Sequence, residues 1–219
     1  NLFKELNTKE SDELNKKLAE EAVTVLKNEN DFLPLKNIDS LKILEISFGV
    51  EEKIILVSSL AEHTYIEHFG ISHTAKDSIV KELFAKVHDF DLVILQLNKA
   101  TAKPENNYGI GNQTLKCIDS ISKLKPSILA LMTSPYVLNK FNSVSNFKSI
   151  LCGYEFLPSL SNAVAAIISG DISSRGKLPV STTYFKASTG IETRIFSQEE
   201  KKISKENFEK RKFGVIDSL

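Results

Sequence analysis

The stretch DLVILQL, Asp91–Leu97, decides the fold class of this chain. Five of its seven residues are apolar, and they do not alternate with polar residues. A run of this kind is typical of a strand that is covered on both faces. The run SILALMT at 127–133 has the same character. Because helices cover both faces of a parallel sheet, we expect both runs to be central strands and 91–97 to be almost fully buried.

Segments of strand and helix character alternate on either side of these two runs. KILEISFG, YIEHFGI and SILCGY read as further strands, and helical spacing of apolar residues separates them. The spacing also predicts an amphipathic first helix from Ser11 to Lys27, with Leu14, Leu18 and Val25 on its apolar face. We therefore predict an α/β fold, an α/β sandwich with Rossmann-like layering, in which about five or six mainly parallel strands carry helices on both faces.

Composition excludes several classes of function. The chain has 28 basic and 28 acidic residues among 219, so no net field attracts nucleic acid or an anionic membrane. No apolar run reaches the length of about 20 residues that a membrane span needs. The four histidines lack the spacing of a zinc site, and we expect His68 and His88 to be surface or strand-end residues. Both cysteines are expected to be buried and inert, so we predict neither a metal nor a cofactor.

Common catalytic patterns are missing or incomplete. GIGNQT at 109–114 has Thr114 where the third glycine of a dinucleotide-binding turn would stand. The chain contains neither a P-loop nor a G-x-S-x-G nucleophile turn. Three S-x-x-K spacings occur, but the S-D-N and K-T-G companions of that chemistry are absent. These patterns therefore assign no reaction.

One loop carries residues suited to carbohydrate chemistry. NKATAKPENNYGIGN, at 98–112, follows the most apolar strand and holds Glu105, Asn106, Asn107 and Tyr108. A carboxylate can act as a general acid, and amides with a phenol can bind sugar hydroxyls. A solvated loop without chemistry is the alternative, because no second carboxylate stands at a fixed spacing.

Three stretches resemble the C-terminal α/β sandwich domain of glycoside hydrolase family 3. They are AEEAVTVLKNENDFLPLKN at 19–37, TSPYVLNKF at 133–141 and SGDISSRGKLPVS at 169–181. In that family, a helix and a Leu-Pro-Leu turn lead into the domain. A Gly-Asp pair, small residues and a Gly-basic-Leu-Pro-Val run leave its last helix. The similar stretches frame most of the chain.

The resemblance implies a division of the chain into three parts. Residues 1–10 would be a linker from an N-terminal (β/α)₈ barrel, 11–192 the α/β domain, and 193–219 a charged, partly helical linker. Within the domain, GKLPVSTTYF at 176–185 would form a late strand at the sheet edge. The end, FGVIDSL, resembles the start of a serine β-lactamase-related domain.

The resemblance also implies a function and candidate residues. In many members a Glu of the corresponding loop is the acid/base, which makes Glu105 the candidate here, with Asn106, Asn107 and Tyr108 as substrate-binding candidates. In hexosaminidase-type members a His and an Asp on a barrel loop take that role instead. We expect an accessory domain of a β-N-acetylhexosaminidase-like or β-glucosidase-like hydrolase, inactive in isolation, in an exported bacterial protein. The alternative is a non-catalytic binding or scaffold module that docks neighbouring domains.

Overall fold

The computed structural model describes residues 8–52, 54–99 and 105–212, and within the last range it describes side chains from residue 107 onward. The strands in these described ranges are β1 (Thr24–Asn28), β2 (Lys42–Phe48), β3 (Tyr65–Ile71), β4 (Leu92–Asn98), β5 (Ser127–Met132) and β6 (Ser149–Cys152). The α-helices are α1 (Lys9–Ala22), α2 (Ile55–Leu60), α3 (Asp77–Val87), α4 (Asn112–Leu124), α5 (Pro158–Ser169) and α6 (Gln198–Lys212).

The strands form one sheet in the order β1-β6-β5-β4-β2-β3. Strands β2 to β6 are parallel, and β1 alone runs antiparallel, against β6. The two apolar runs are central, as expected, because β4 lies between β2 and β5 and β5 lies between β4 and β6. Every residue of β4 is buried, whereas Asp91, which the prediction included, is exposed.

Helices cover both faces of the sheet, which confirms the predicted layering. One face packs Leu44, Val93 and Leu129 against α3 and α4. The other face packs Ile43, Ile94 and Ile128 against α2 and α5, with Ala19 of α1 beside them. The two cores are separate because successive residues of a strand point to opposite faces.

The first helix is shorter than predicted. It begins after Thr8, whose hydroxyl accepts a hydrogen bond from the Ser11 amide, and it ends at Ala22. Val25, assigned to the helix by its spacing, lies in β1, paired with Leu151 of β6. The run Val23-Thr24-Val25 is β-branched and fully buried, and Thr24 and Val25 pair with β6. Leu14 and Leu18 of the helix are exposed, and Ala19 is its buried residue.

The predicted late strand at 176–185 is wrong. This part of the chain contains no strand. The contacts with β1 come from residues on either side of it. Ser174, which precedes it, bridges two backbone groups: its hydroxyl donates to the Val23 carbonyl and accepts from the Val25 amide. Further along, the Ile191 amide donates to the Val25 carbonyl. Isolated contacts therefore replace a continuous strand.

The chain after Thr193 first contacts the domain and then forms α6. Thr193 is buried, and its hydroxyl accepts a hydrogen bond from the Ser174 amide. Helix α6 buries none of its residues and contacts the domain through Lys201 and Ser204. The proposed domain boundaries at 10 and 192 stay predictions.

None of the helices in the described part of the chain has the length and hydropathy that a membrane span requires.

Candidate functional site

The carboxyl ends of the parallel strands meet at one edge of the sheet, which we call the carboxyl edge. From β2 the chain passes to β3 on one side, and β4 then pairs with β2 on the other side. In open α/β sheets, a change of direction of this kind leaves a crevice at which ligands bind. By this rule the ligand crevice is expected between the ends of β2, at Phe48, and β4, at Asn98.

The predicted loop leaves β4 at this crevice and ends at α4; we call it the β4–α4 connection. Glu105 begins a 3₁₀ turn, Glu105–Gly109. The side chains of Glu105 and Asn106, both sequence candidates, lie outside the described residues, and their roles stay predictions. The turn brings the chain back so that the Asn107 amide group donates to the Asn112 carboxamide oxygen at 2.9 Å.

Tyr108 lies mostly inside the core. It is 7% exposed and packs in the cluster that contains Ile110. The Lys140 ammonium lies 5.8 Å from the centroid of its ring. Asn107 and Tyr108 both have positive φ, at 55° and 60°, so the backbone is held in a tight left-handed turn here. The turn therefore packs against the core through the Tyr108 ring. The substrate-binding roles of Asn107 and Tyr108 stay predictions.

Buried amides line the base of the crevice. Asn98 is fully buried, and its side-chain amide donates to the Phe48 carbonyl at 3.2 Å. Gln96 donates to the Asn98 carboxamide oxygen at 2.7 Å. The Gln96 carboxamide oxygen is buried and has no hydrogen-bond partner among the described residues. These amides join the ends of β2 and β4 across the crevice.

His73 follows β3 and enters the same crevice. Its Nε2 lies 3.0 Å from the Asn98 carbonyl oxygen, and its Nδ1 lies 3.4 Å from the Thr114 hydroxyl. Neither contact follows from sequence spacing, because the three residues come from different elements. In the sequence, the indication of these contacts is the polar segment SHT at 72–74, which follows an apolar strand.

A buried acid–histidine pair lies deeper in the sheet. Glu45 of β2 is fully buried, and its carboxylate lies 2.6 Å from His68 Nδ1 and accepts a hydrogen bond from Ser47. Burial raises the pKa of Glu45, against the opposing effect of those two hydrogen bonds. We expected His68 at the surface or at a strand end, but it lies within β3. In the sequence, the indication of this pair is the acidic residue inside the apolar run ILEIS at 43–47.

Tyr154 closes the carboxyl edge near β6. Its hydroxyl lies 2.7 Å from the Thr24 hydroxyl, so it joins the end of β6 to the start of β1. Burial raises the pKa of Tyr154, although the hydrogen bond to Thr24 lowers it. Tyr136, after β5, is 41% exposed at the same edge. The edge therefore presents aromatic side chains as well as the β4–α4 connection.

Both cysteines are buried, and burial raises the pKa of Cys117 to about 11 and that of Cys152 to about 12. Thiols with such pKa values are poor nucleophiles near neutral pH. In the part of the chain that the structure describes, no group of three or more His, Cys, Asp or Glu side chains is arranged to hold a metal ion.

Comparison with known families identifies the architecture. The family model described as the glycosyl hydrolase family 3 C-terminal domain matches residues 23–213. The chain belongs to this family. The residues matched to this family 3 C-terminal domain contain the sheet, helices α2 to α6 and the β4–α4 connection, whereas α1 precedes them. No curated protein matches the chain.

Solved structures agree on the fold. A glycoside hydrolase family 3 β-N-acetylglucosaminidase from Paenibacillus sp. str. FPU-7 has a TM-score of 0.67 and 18% identity, and the match covers 82% of this chain and 34% of that one. A fungal multi-domain β-N-acetylglucosaminidase of the family has a TM-score of 0.62 and 25% identity, over 78% of this chain and 19% of that one.

A β-glucosidase from Listeria innocua in complex with gluconolactone has a TM-score of 0.62 and 17% identity, over 83% of this chain and 28% of that one. The family 3 domain therefore spans about a third or less of the length of these three matched chains.

Proposed function

We propose that this chain is the accessory α/β domain of a family 3 glycoside hydrolase of the β-N-acetylhexosaminidase type. The parent enzyme would hydrolyse O-glycosyl bonds in glycans that contain N-acetylglucosamine, such as peptidoglycan fragments. The observation that carries this proposal is the family match over residues 23–213. Two of the similar structures are β-N-acetylglucosaminidases, which supports the choice of substrate class.

In this proposal the domain contributes the β4–α4 connection to an active site on a (β/α)₈ barrel of the same polypeptide. Retaining hydrolysis uses two carboxyl groups about 5 Å apart. Residues 99–111 contain one carboxylate, Glu105, so the nucleophile would come from the barrel. The position of the connection at the carboxyl edge, where open α/β sheets bind ligands, supports this role.

An exposed apolar surface on α1 supports a docked neighbour. Leu14 and Leu18 are 57% and 59% exposed, and Leu18 lines a cleft of about 560 Å³ with Leu157 and Leu160 of the α5 side. Contiguous exposed leucines mark interaction surfaces. We expect the same patch to include the first helix, Ser11 to Lys27, and the loop at 104–108, but Tyr108 is buried, and Pro104 lies outside the described residues.

The parent protein would act in the periplasm or outside the cell, and a serine β-lactamase-related domain would follow this one. Both statements are proposals that rest on the similarity of the end of the chain to the start of such domains. Helix α6, which precedes that end, carries acids in its first turn and bases in its last, as a solvated helix does.

Activity assays test the proposal. The isolated chain should release no chromophore from a chromogenic β-N-acetylglucosaminide, whereas the polypeptide that includes the barrel should turn it over. If Glu105 is the acid/base, Glu105→Gln in that polypeptide should lower kcat by about 10²- to 10⁴-fold. Glu155→Gln, which alters an exposed carboxylate after β6, is the matched control and should retain activity.

Three outcomes are informative. Turnover by the isolated chain that Glu105→Gln abolishes would contradict the accessory role. Full activity of the barrel without this domain would favour the scaffold alternative. Unchanged activity of Glu105→Gln in the longer polypeptide would remove Glu105 from the mechanism and leave the hexosaminidase-type arrangement, in which the barrel supplies the acid/base.

A further inference from the structure

Both ends of the β4–α4 connection meet the same side chain, His73. At the start of the connection, the Asn98 carbonyl oxygen lies 3.0 Å from His73 Nε2. At its end, the Thr114 hydroxyl in the first turn of α4 lies 3.4 Å from His73 Nδ1. His73 itself comes from a third element, since it follows β3.

The chemistry of the partners assigns the roles of the two ring nitrogens. A backbone carbonyl can only accept, so Nε2 carries the hydrogen and donates it to Asn98. In the neutral ring Nδ1 is then an acceptor, and it faces the Thr114 hydroxyl, which can donate. The contact to Asn98 is the shorter one, so the start of the connection is held more strongly than its end.

Two glycines, Gly49 and Gly111, leave the space that His73 occupies. A Cβ atom at Gly49 would lie 2.6 Å from His73 Nε2, and one at Gly111 would lie 2.8 Å from the His73 carbonyl oxygen. Real Cβ atoms do not approach so closely, so the crevice accommodates this residue because both neighbours lack a side chain.

The two residues that His73 contacts, Asn98 and Thr114, are themselves held in place by their surroundings. Asn98 is fully buried, and its side chain is bonded to the Phe48 carbonyl of β2 and to Gln96 of β4. Thr114 is also buried, 4% exposed, within α4. A side chain that links two such residues fixes their separation.

We propose that His73 is a positioning residue that fixes the two ends of the β4–α4 connection relative to each other. It thereby sets where the turn at 105–109 stands at the carboxyl edge. The link to catalysis rests on the proposed function, because Glu105 matters only if this connection reaches a substrate. His73 acts through the Asn98 backbone and the Thr114 hydroxyl and needs no contact with that substrate.

Amide hydrogen exchange on the whole chain tests the link. The reporter is the Ile110 amide, which donates to the Asn107 carbonyl within the turn. His73→Ala should speed its exchange by about three- to tenfold, the effect of losing one or two neutral hydrogen bonds. Exchange of the Leu129 amide in β5 should not change. His88→Ala, which removes an exposed histidine after α3, is the control and should change neither amide.

Two conservative variants separate the two contacts. His73→Gln places an amide donor near the position of Nε2 and should keep most of the protection at Ile110. His73→Asn reaches only the position of Nδ1 and should lose the protection at Ile110. Thr114→Val removes the longer contact and should lower the protection at Ile110 by less. Equal exchange in the Gln and Asn variants would overturn the proposal, even if His73→Ala fails to fold. Faster exchange at Leu129 as well as Ile110 would assign His73 a general structural role and also overturn it.

Kinetics of the barrel-containing polypeptide separate this inference from the proposed function. His73→Asn should lower kcat about tenfold with little change in KM, because a displaced turn affects the transition state more than substrate binding, and His73→Gln should restore most of it. If exchange responds and kcat does not, the link stands and the catalytic use of the connection is wrong. If exchange at Ile110 does not respond, the link is wrong whatever the activity.

Discussion

The two edges of the sheet are closed in different ways. At the β1 edge, both outward backbone groups of Val25 are hydrogen-bonded: its amide to the Ser174 hydroxyl and its carbonyl to the Ile191 amide. The chain between these two partners thus covers the edge without forming a strand. Backbone pairing by other strands is prevented there because the groups that would pair are already used.

At the β3 edge, charged and polar side chains are present instead. Among the described strands β3 pairs only with β2, and most of its residues are half-exposed. Glu67 forms an ion pair with Lys86 of α3 and accepts a hydrogen bond from Tyr65. Charged residues on an open strand discourage pairing with another chain.

One sheet is therefore protected by backbone coverage on one side and by side-chain charge on the other. The first way depends on close approach of two chain segments. The second depends on charged side chains at the edge, such as Glu67 and Lys86, while a buried pair, Glu45 and His68, joins β3 to β2. The two edges should therefore respond to different kinds of mutation.

The largest effect should come from the open edge. His68→Leu removes a hydrogen-bonded partner of a fully buried carboxylate, so the free energy of unfolding should fall by about 3 kcal/mol, measured by urea denaturation. The double variant Glu45→Gln/His68→Leu should recover a large part of this loss, because an amide is cheaper to bury than a charge. An equal loss in both variants would show that packing, and not charge, joins β3 to β2.

This loss should depend on pH. Burial raises the pKa of Glu45 in the folded protein, so the stability that Glu45 contributes is complete below its ordinary pKa and falls as pH rises through the folded value. Without the His68 hydrogen bond, the pKa of Glu45 should rise further. The deficit of His68→Leu should therefore be smaller at pH 5 than at pH 7. A deficit that does not change over this range would contradict a titrating Glu45.

The covered edge should show an intermediate effect. A Cβ at Gly176 would lie 2.4 Å from the Ala22 carbonyl oxygen and 2.6 Å from that of Val23, and backbone atoms cannot move aside cheaply. Gly176→Ala should therefore lower the free energy of unfolding by about 2 kcal/mol. Gly153→Ala is the matched control: its Cβ would meet the Met132 sulfur at 2.7 Å, which belongs to a flexible side chain, so a smaller loss is expected.

The smallest effect concerns Asp171, three residues before Ser174, the first partner of Val25 at the covered edge. Its carboxylate lies 3.4 Å from His63 Nε2 and 3.1 Å from the Lys201 ammonium, and the His63 contact is the main cause of its lowered pKa. The side chain is 36% exposed, so solvent screens these pairs. Asp171→Asn should cost about 0.5 kcal/mol at pH 7.

A lowered pKa gives this effect the opposite pH dependence to that of Glu45. The contribution of Asp171 is complete above its ordinary pKa and is lost as pH falls from there through the folded value, so the stabilities of wild type and Asp171→Asn should begin to converge below about pH 4. Limited proteolysis within 198–212 should also be faster in the variant, because Lys201 loses its partner. Lys202→Gln, which alters an exposed pair within α6, should change neither property.

The central strands, the helices on both faces and the mainly parallel order were predictable. Continuous apolar runs such as Leu92–Leu97 specify burial on both faces, and this pattern needs no knowledge of neighbours. The first helix shows the limit of such patterns. Val25 fits helical spacing from Leu18 and Ala22, but its pairing with β6 places it in a strand. Local spacing carries no information about a strand partner more than a hundred residues away.

The candidate site was predictable only in part. The position of the connection after β4 followed from the strand assignment and the loop composition. The burial of Tyr108 and the contacts of His73 did not, because Asn98, Thr114 and His73 meet only when the crossover through α3 brings the ends of β3 and β4 to the same edge of the sheet. Similarly, Glu45 was visible as an acid in an apolar run, but its partner came from the adjacent strand.

Local sequence patterns specify the layered α/β architecture, the family, and the place of the β4–α4 connection at the carboxyl edge. These depend on short-range periodicity and on residue types within single segments. The tertiary structure decided which residues closed the β1 edge, which histidine faced a buried acid, and which one held both ends of the connection. Those outcomes depend on contacts between segments that are distant in the chain. Local patterns allow several ways of pairing these segments, and a single hydrogen bond or close backbone contact then favours one of them.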